Sequence, residues 1–175
     1  MDVLGSLRDA ALPDSLLVAG AIYNLVWNRL TGRPDLNGIN DIDVFYFDDR
    51  DLSYEAEDAV IKELATRLAH LPLPVQVRNQ ARVHLWFPQK FGIPFEPLGS
   101  SAEMLGRYAS KTHAVAARLE ADDSLSIFTP FGLDDIFSFR IVPNRVLSNK
   151  PAHDAKGARA KAVWPEITVL PWDED

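Results

Sequence analysis

Residues 40–47 read NDIDVFYF. Acid and apolar side chains alternate from Asp41 to Val44, and aromatic residues follow. Only an extended strand gives that order a sensible home. Successive side chains on a strand point to opposite faces, so Asp41 and Asp43 project to one side while Ile42 and Val44 enter a core. Two carboxylates are thereby fixed together near the start of one strand. The segment before it is equally informative. Ser15–Ala19 (SLLVA) reads as a short buried strand that Gly20 ends. Ala21–Leu30 then carries Ile22, Leu25, Val26 and Leu30 at helical spacing, and Thr31–Pro34 stops the helix. A polar loop, Asp35–Asn40, leads back to the acid-bearing strand.

The rest of the chain alternates helix and strand. Ser53 is placed to cap a helix whose first turn holds Glu55 and Glu57 and whose buried stripe is Val60, Ile61, Leu64, Ala65 and Leu68. Val75–Trp86 reads as a long strand or a bent strand pair, with Arg78, Gln80, Arg82 and His84 on one face. Ser101–Ala109 is expected as a helix, and Ser110-Lys111-Thr112 as a surface turn. Val115–Leu119 and Leu125–Thr129 form a hairpin, Gly132–Phe139 a short acid-capped helix, and Ala152–Val163 the last helix. The expected fold is α+β, a mixed central β-sheet with flanking helices. No repeat or linker divides the 175 residues, so 1–175 is expected to be one domain, with a core at about 13–140 and a C-terminal helical extension at about 141–175.

Composition narrows the chemistry. The absence of cysteine removes disulfides, thiolate metal sites and thiol nucleophiles. The first residues, with Asp2 and Asp9, lack the pattern of a signal peptide. Leu16–Trp27, the most apolar stretch, is interrupted by Asn24 and is short of the roughly 20 apolar residues a bilayer span needs. A cytoplasmic protein with no membrane partner is expected. The net charge of −7 resides entirely in residues 1–75. Such a surface does not suit bulk nucleic-acid binding, but it suits a divalent cation that recruits a phosphate.

Asp41 and Asp43 are the candidate metal ligands, since two carboxylates on one rigid strand can hold Mg²⁺ or Mn²⁺. A glycine at a strand–helix junction, here Gly20, lets a phosphate approach the backbone N–H groups of the helix start. Asn24 and Asn28 add a polar stripe to that helix. Together these features resemble the signature of the DNA polymerase beta-like nucleotidyltransferase superfamily, in which a Gly-Ser or Gly-Gly pair precedes an Asp-x-Asp or Asp-x-Glu strand. The stretches GAIYNLVWNRLTG, NDIDVFYFDD, VRNQARVHLW and FGLDDIF are similar to a bacterial family of unknown substrate within that superfamily. They run from Gly20 to Phe137, about two-thirds of the chain.

The resemblance implies a metal-dependent transfer of a nucleoside monophosphate from a nucleoside triphosphate to an acceptor it does not name. Asp41 and Asp43 would be catalytic metal ligands and Gly20 the phosphate-loop residue. Nucleotide contacts are expected from Gly20, Ala21, Asn24, Gln76, Arg78, Asn79 and Arg82. Two departures stand out. Ala21 follows Gly20 where the superfamily has Ser or Gly. Gln76, flanked by Val75 and Val77, occupies the expected place of a third carboxylate on the next strand. A neutral amide orients a ligand but takes no proton, which leaves open a catalytically degenerate relative that binds nucleotide and metal. Asp134 or Asp135 could supply the missing acid, although capping of a short helix also explains both. Two further readings compete: a glycosyltransferase, which also uses Asp-x-Asp but places it after a longer nucleotide-binding half, and an interaction module with a buried polar network.

Overall fold

A computed structural model describes residues 2–173; the side chain of Asp2 and the tail acids Glu174 and Asp175 lie outside the described residues. In chain order the main elements are α1 (Asp2–Ala10), β1 (Leu16–Val18), α2 (Gly20–Leu30), β2 (Ile42–Tyr46), α3 (Tyr54–Arg67), β3 (Val75–Asn79) and α4 (Val83–Phe91). There follow β4 (Ala116–Leu119), β5 (Leu125–Phe128), α5 (Asp134–Phe137), β6 (Arg140–Ile141), α6 (Lys150–Val163) and β7 (Thr168–Val169).

Among the described residues, five strands form one sheet in the order β3-β2-β1-β4-β5. β2 and β3 are parallel, whereas β1 pairs antiparallel with both β2 and β4, and β4 with β5. The sheet is therefore mixed, and the fold is α+β. The parity read from the sequence holds. Ile42, Val44, Tyr46 and Val77 pack with Leu7 of α1 and with Leu64 and Leu68 at the end of α3. The opposite parity, which includes Asp43, shares its face with Phe45, packed against Leu16, Val18 and Leu105. Ser53 caps α3 as expected, its Oγ accepting from Ala56 N at 3.2 Å. No helix among the described residues is long and apolar enough to cross a membrane.

The structure corrects the reading of Val75–Trp86. The strand stops at Asn79, a 3-10 turn spans Gln80–Arg82, and α4 follows. Asn79 makes the break, for its Oδ1 accepts from Ala81 N at 3.1 Å. Gln80, Ala81, Val83 and Phe87 are then buried, so residues 80–84 do not present a solvated strand face. Ser101–Ala109 is also tighter than an α-helix, with a 3-10 helix over Ala102–Arg107. Ser110 and Thr112 are not on a surface turn; both are buried. Two elements absent from the sequence reading complete the fold. Helix α1 covers the sheet through Leu4 and Leu7, and the β6–β7 pair carries the chain beneath α6.

Candidate nucleotide-binding cleft

The pairing of β1 with β2 places the start of α2 beside the carboxylates. Val18 lies opposite Asp43, and the chain leaves Val18 directly into α2 at Gly20. Ala19 makes the turn, with φ 54° and ψ −115°. That backbone region normally belongs to glycine. The glycine-like position is thus Ala19, one residue before the Gly20–Ala21 pair expected from the sequence. No side chain caps α2. Among the described residues, the N–H groups of Gly20 and Ala21 have no upstream carbonyl, whereas those of Ile22 and Tyr23 donate to Ala19 O at 2.9 and 3.1 Å, and they mark the positive end of the helix dipole. The half-buried Ala21 side chain packs against the core cluster that includes Ile42 and Val44.

A cleft of about 460 Å³ opens here, lined on one side by Ala19, Gly20, Asn24, Asn40, Asp41 and Asp43, and on the other by α6 through Lys156, Arg159 and Trp164. Burial raises the Asp43 pKa, and neighbouring Asp41 raises it further; Lys156 and Arg78 pull it back down. Tyr23 feels the same field: burial and the charge of Asp43 hold its hydroxyl in the protonated form.

Gln76 lies opposite Asp43 in the β2–β3 register, and its Nε2 donates to Asp41 Oδ2 at 2.5 Å. An amide therefore stands on the neighbouring strand, bonded to the carboxylate pair. Arg78 sits two residues along on the same face, its guanidinium donating to Val77 O at 2.9 Å. Asn79 and Arg82 are engaged elsewhere. Asn79 is three residues beyond Gln76, about 10 Å at the usual strand rise, and on the other face. It is buried, donates from Nδ2 to Asp48 O at 2.7 Å, and receives Asp48 N on Oδ1 at 3.1 Å. Arg82 forms a mostly buried ion pair with Glu57 and donates to Leu52 O at 2.9 Å. Both residues tie the C-terminal ends of β2 and β3 to the start of α3. Asp134 and Asp135 belong to the first turn of α5, with Asp135 3.7 Å from Arg140, and neither lines the cleft. Among the described residues no group of three or more His, Cys, Asp or Glu side chains is placed to hold a metal ion.

Lys156 and Arg159 escaped the sequence reading. They lie on α6, which a set of buried contacts holds over the cleft. The ring of His153 is fully buried; its Nε2 donates to Leu170 O at 2.9 Å, which leaves Nδ1 to accept from Ser110 Oγ at 2.7 Å. Gly157 faces Val169 so closely that a Cβ would stand 2.7 Å from its Cγ1. Trp164 Nε1 donates to Asn28 Oδ1 at 2.9 Å, while Asn28 Nδ2 donates to the carbonyls of Asp35 and Asn37 at 2.9 and 2.8 Å. Asn28 thus joins α6 to α2 and to the loop that delivers Asp41. Gly38 of that loop has φ +69°, and an added Cβ would lie 2.8 Å from the Trp164 ring.

A family model described as nucleotidyltransferase matches residues 5–169. The chain belongs to this nucleotidyltransferase family. Its fold is also that of a solved NMR structure described as revealing a CCA-adding enzyme head domain, which is 26% identical, with a TM-score of 0.78 over 98% of this chain and 88% of that one. A tRNA nucleotidyltransferase, solved with a primer tRNA and an incoming ATP analog, shares the fold at 16% identity and a TM-score of 0.52. A tRNA-processing enzyme in an apo form does so at 17% and 0.50. This chain is covered to 96% and 90% in those two matches, but it spans only 46% and 43% of the enzymes themselves. No protein of curated function matches the chain. Family and fold together support nucleotidyl transfer as the general chemistry.

Proposed function

We propose that the cleft binds a nucleoside triphosphate together with Mg²⁺ or Mn²⁺ and transfers the nucleoside monophosphate to a hydroxyl-bearing acceptor. The observation that carries this reading is the placement of Asp41 and Asp43 beside the uncapped start of α2, in a chain of this family. Two carboxylates suit Mg²⁺, which typically takes one or two protein carboxylates and completes its shell with water and substrate phosphate. Asp41 and Asp43 would hold the ion. When bound, it would neutralise charge on the triphosphate and make the α-phosphorus more electrophilic.

The chain's own groups do the positioning. First-turn N–H groups at Gly20 and Ala21 receive phosphate oxygens, and Asn24 borders the same end of the cleft. Gln76 holds Asp41 in one orientation. Attack of the acceptor oxygen in line with the leaving pyrophosphate forms one P–O bond and breaks another, and positioning with charge neutralisation supplies most of the catalysis. In this reading residues 1–175 act as one domain, the extension at about 141–175 giving the cleft its second wall.

The second reading is a nucleotide- and metal-binding relative without turnover. It is favoured by one observation, that Gln76 contacts Asp41 from the strand expected to bring a third carboxylate. The two readings separate in one assay. Each of the four ribonucleoside triphosphates is incubated with the protein, Mg²⁺ and a panel of acceptors that includes tRNA, because solved relatives of this fold act on tRNA. Acceptor-dependent pyrophosphate release supports the enzyme; nucleotide binding by calorimetry with no release supports the second reading.

A further inference from the structure

We propose that Lys156 and Arg159 form a polyphosphate-binding wall on α6, facing the carboxylate pair, so that the triphosphate is held from the protein side as well as through the metal. This deepens the function proposed above and rests on it.

The two residues are three apart on one helix, hence on one face, and both line the cleft opposite Gly20, Asp41 and Asp43. Among the described residues neither has a carboxylate oxygen within 4.0 Å. Elsewhere on this acidic chain such pairing is common: Arg29 meets Asp35, Arg33 Glu166, Arg67 Glu63, and Lys150 Asp154. Lys156 instead sets its ammonium 5.7 Å from the centre of the Tyr108 ring. Burial lowers its pKa, Asp43 acts against that shift, and adjacent Arg159 adds to it.

Two like charges are therefore held side by side on the exposed wall of the cleft, with no carboxylate in contact among the described residues. Left alone, that arrangement opposes folding. His153, Gly157 and Trp164 fix α6, so the backbone holds both residues beside the cleft. An anion that enters the cleft relieves the repulsion. Lysine supplies a point charge and arginine a planar fork of donors, a combination that matches phosphate oxygens. The carboxylates across the cleft repel a bare anion, so the favoured ligand is long enough to keep one end on the cations while a metal ion screens the other. A cleft of about 460 Å³ has the size of a small-molecule site. A nucleoside triphosphate meets these conditions, and the wall takes the phosphates that the metal leaves uncovered.

The test uses inorganic tripolyphosphate and ATP as calorimetric probes of the full chain, each with Mg²⁺ and with EDTA. The wild type is expected to bind tripolyphosphate weakly in EDTA. Lys156→Ala and Arg159→Ala should each weaken it about tenfold, as for a charge-assisted contact, with Arg159→Lys recovering part of the loss. Alanine favours the helix, and Lys150→Ala, on α6 outside the cleft, should bind as the wild type does. Asp41→Asn/Asp43→Asn should bind tripolyphosphate more tightly in EDTA and lose the gain from Mg²⁺. Unchanged binding of both probes by Lys156→Ala/Arg159→Ala overturns the wall alone, if Asp41→Asn/Asp43→Asn still abolishes the Mg²⁺ gain. Failure of the wild type to bind ATP with Mg²⁺ overturns the underlying function as well.

Discussion

Gln76 Nε2 donates to Asp41 Oδ2 at 2.5 Å across the β2–β3 pair. The amide fixes one carboxylate without adding charge to the pair. Removing it by Gln76→Ala is expected to weaken Mn²⁺ binding about tenfold, as is usual when a partner that orients a metal ligand is lost. Gln76→Asp should do the reverse. A third carboxylate beside two others strengthens cation binding and raises the pH at which the group ionises. Titration calorimetry with MnCl₂ from pH 5 to pH 8 reads both effects. Equal Mn²⁺ affinity in the wild type and both variants would remove Gln76 from the site.

The turn at Ala19 stores strain. A non-glycine residue at φ 54°, ψ −115° costs on the order of 1–3 kcal/mol, part of which Gly returns as extra freedom in the unfolded chain. Ala19→Gly is therefore expected to stabilise the protein by about 1 kcal/mol in urea unfolding. Ala21→Gly, inside the helix, should lose about 0.5–1 kcal/mol. If Ala19→Gly is neutral or destabilising, the turn is not strained.

His113 gives the protein a pH dependence. Its ring is buried, stacks on Tyr23 with centroids 4.7 Å apart, and among the described residues has no hydrogen-bond partner at either nitrogen. Burial holds its pKa well below the ordinary value, and the charges of Lys156 and Arg159 add to the effect. Below about pH 6.5 the unfolded chain takes up a proton on this imidazole that the native state refuses. Stability must fall as pH drops through that range. His113→Phe removes the contribution, so the urea midpoint should differ less between pH 5.5 and pH 7.5 than in the wild type. An equal or larger difference in the variant would contradict the assignment.

The strand–helix–strand unit over residues 15–47 was legible because an apolar run, a helical period and an alternating strand follow one another in it. SLLVA is a short apolar run, IDVFY alternates every two residues, the intervening helix keeps helical spacing, and each break carries a polar or glycine signal. Residues 80–91 were not, because aromatic and basic residues there suit strand and helix alike. The clue was Asn79, a helix-capping residue, followed by Val83 and Phe87 at i and i+4. Helix α1 hid for a simpler reason: Leu4 and Leu7 give it a single short apolar stripe. In the cleft, Asp41, Asp43, Gly20 and Gln76 were legible because strand parity and register place them. Asn79 ends β3 on the face away from the carboxylates, and Arg82 lies past the end of the strand, in the 3-10 turn that parity did not foresee. Lys156 and Arg159 were out of reach, for α6 also carries Lys150 and Lys161, and sequence does not say which cations turn inward. Asn28 read only as half of a polar stripe; its partners are Trp164, 136 residues away, and the loop ahead of Asp41.

The central claim is that Asp41 and Asp43 together hold the divalent ion that brings nucleotide into the cleft. It is tested most directly by calorimetric titration of ATP into the wild type and Asp41→Asn/Asp43→Asn, each with and without Mn²⁺. The wild type is predicted to bind ATP much more tightly with Mn²⁺, and the variant, folded by circular dichroism, to show the same weak affinity in both conditions. A variant that keeps the full Mn²⁺ dependence of the wild type would contradict it.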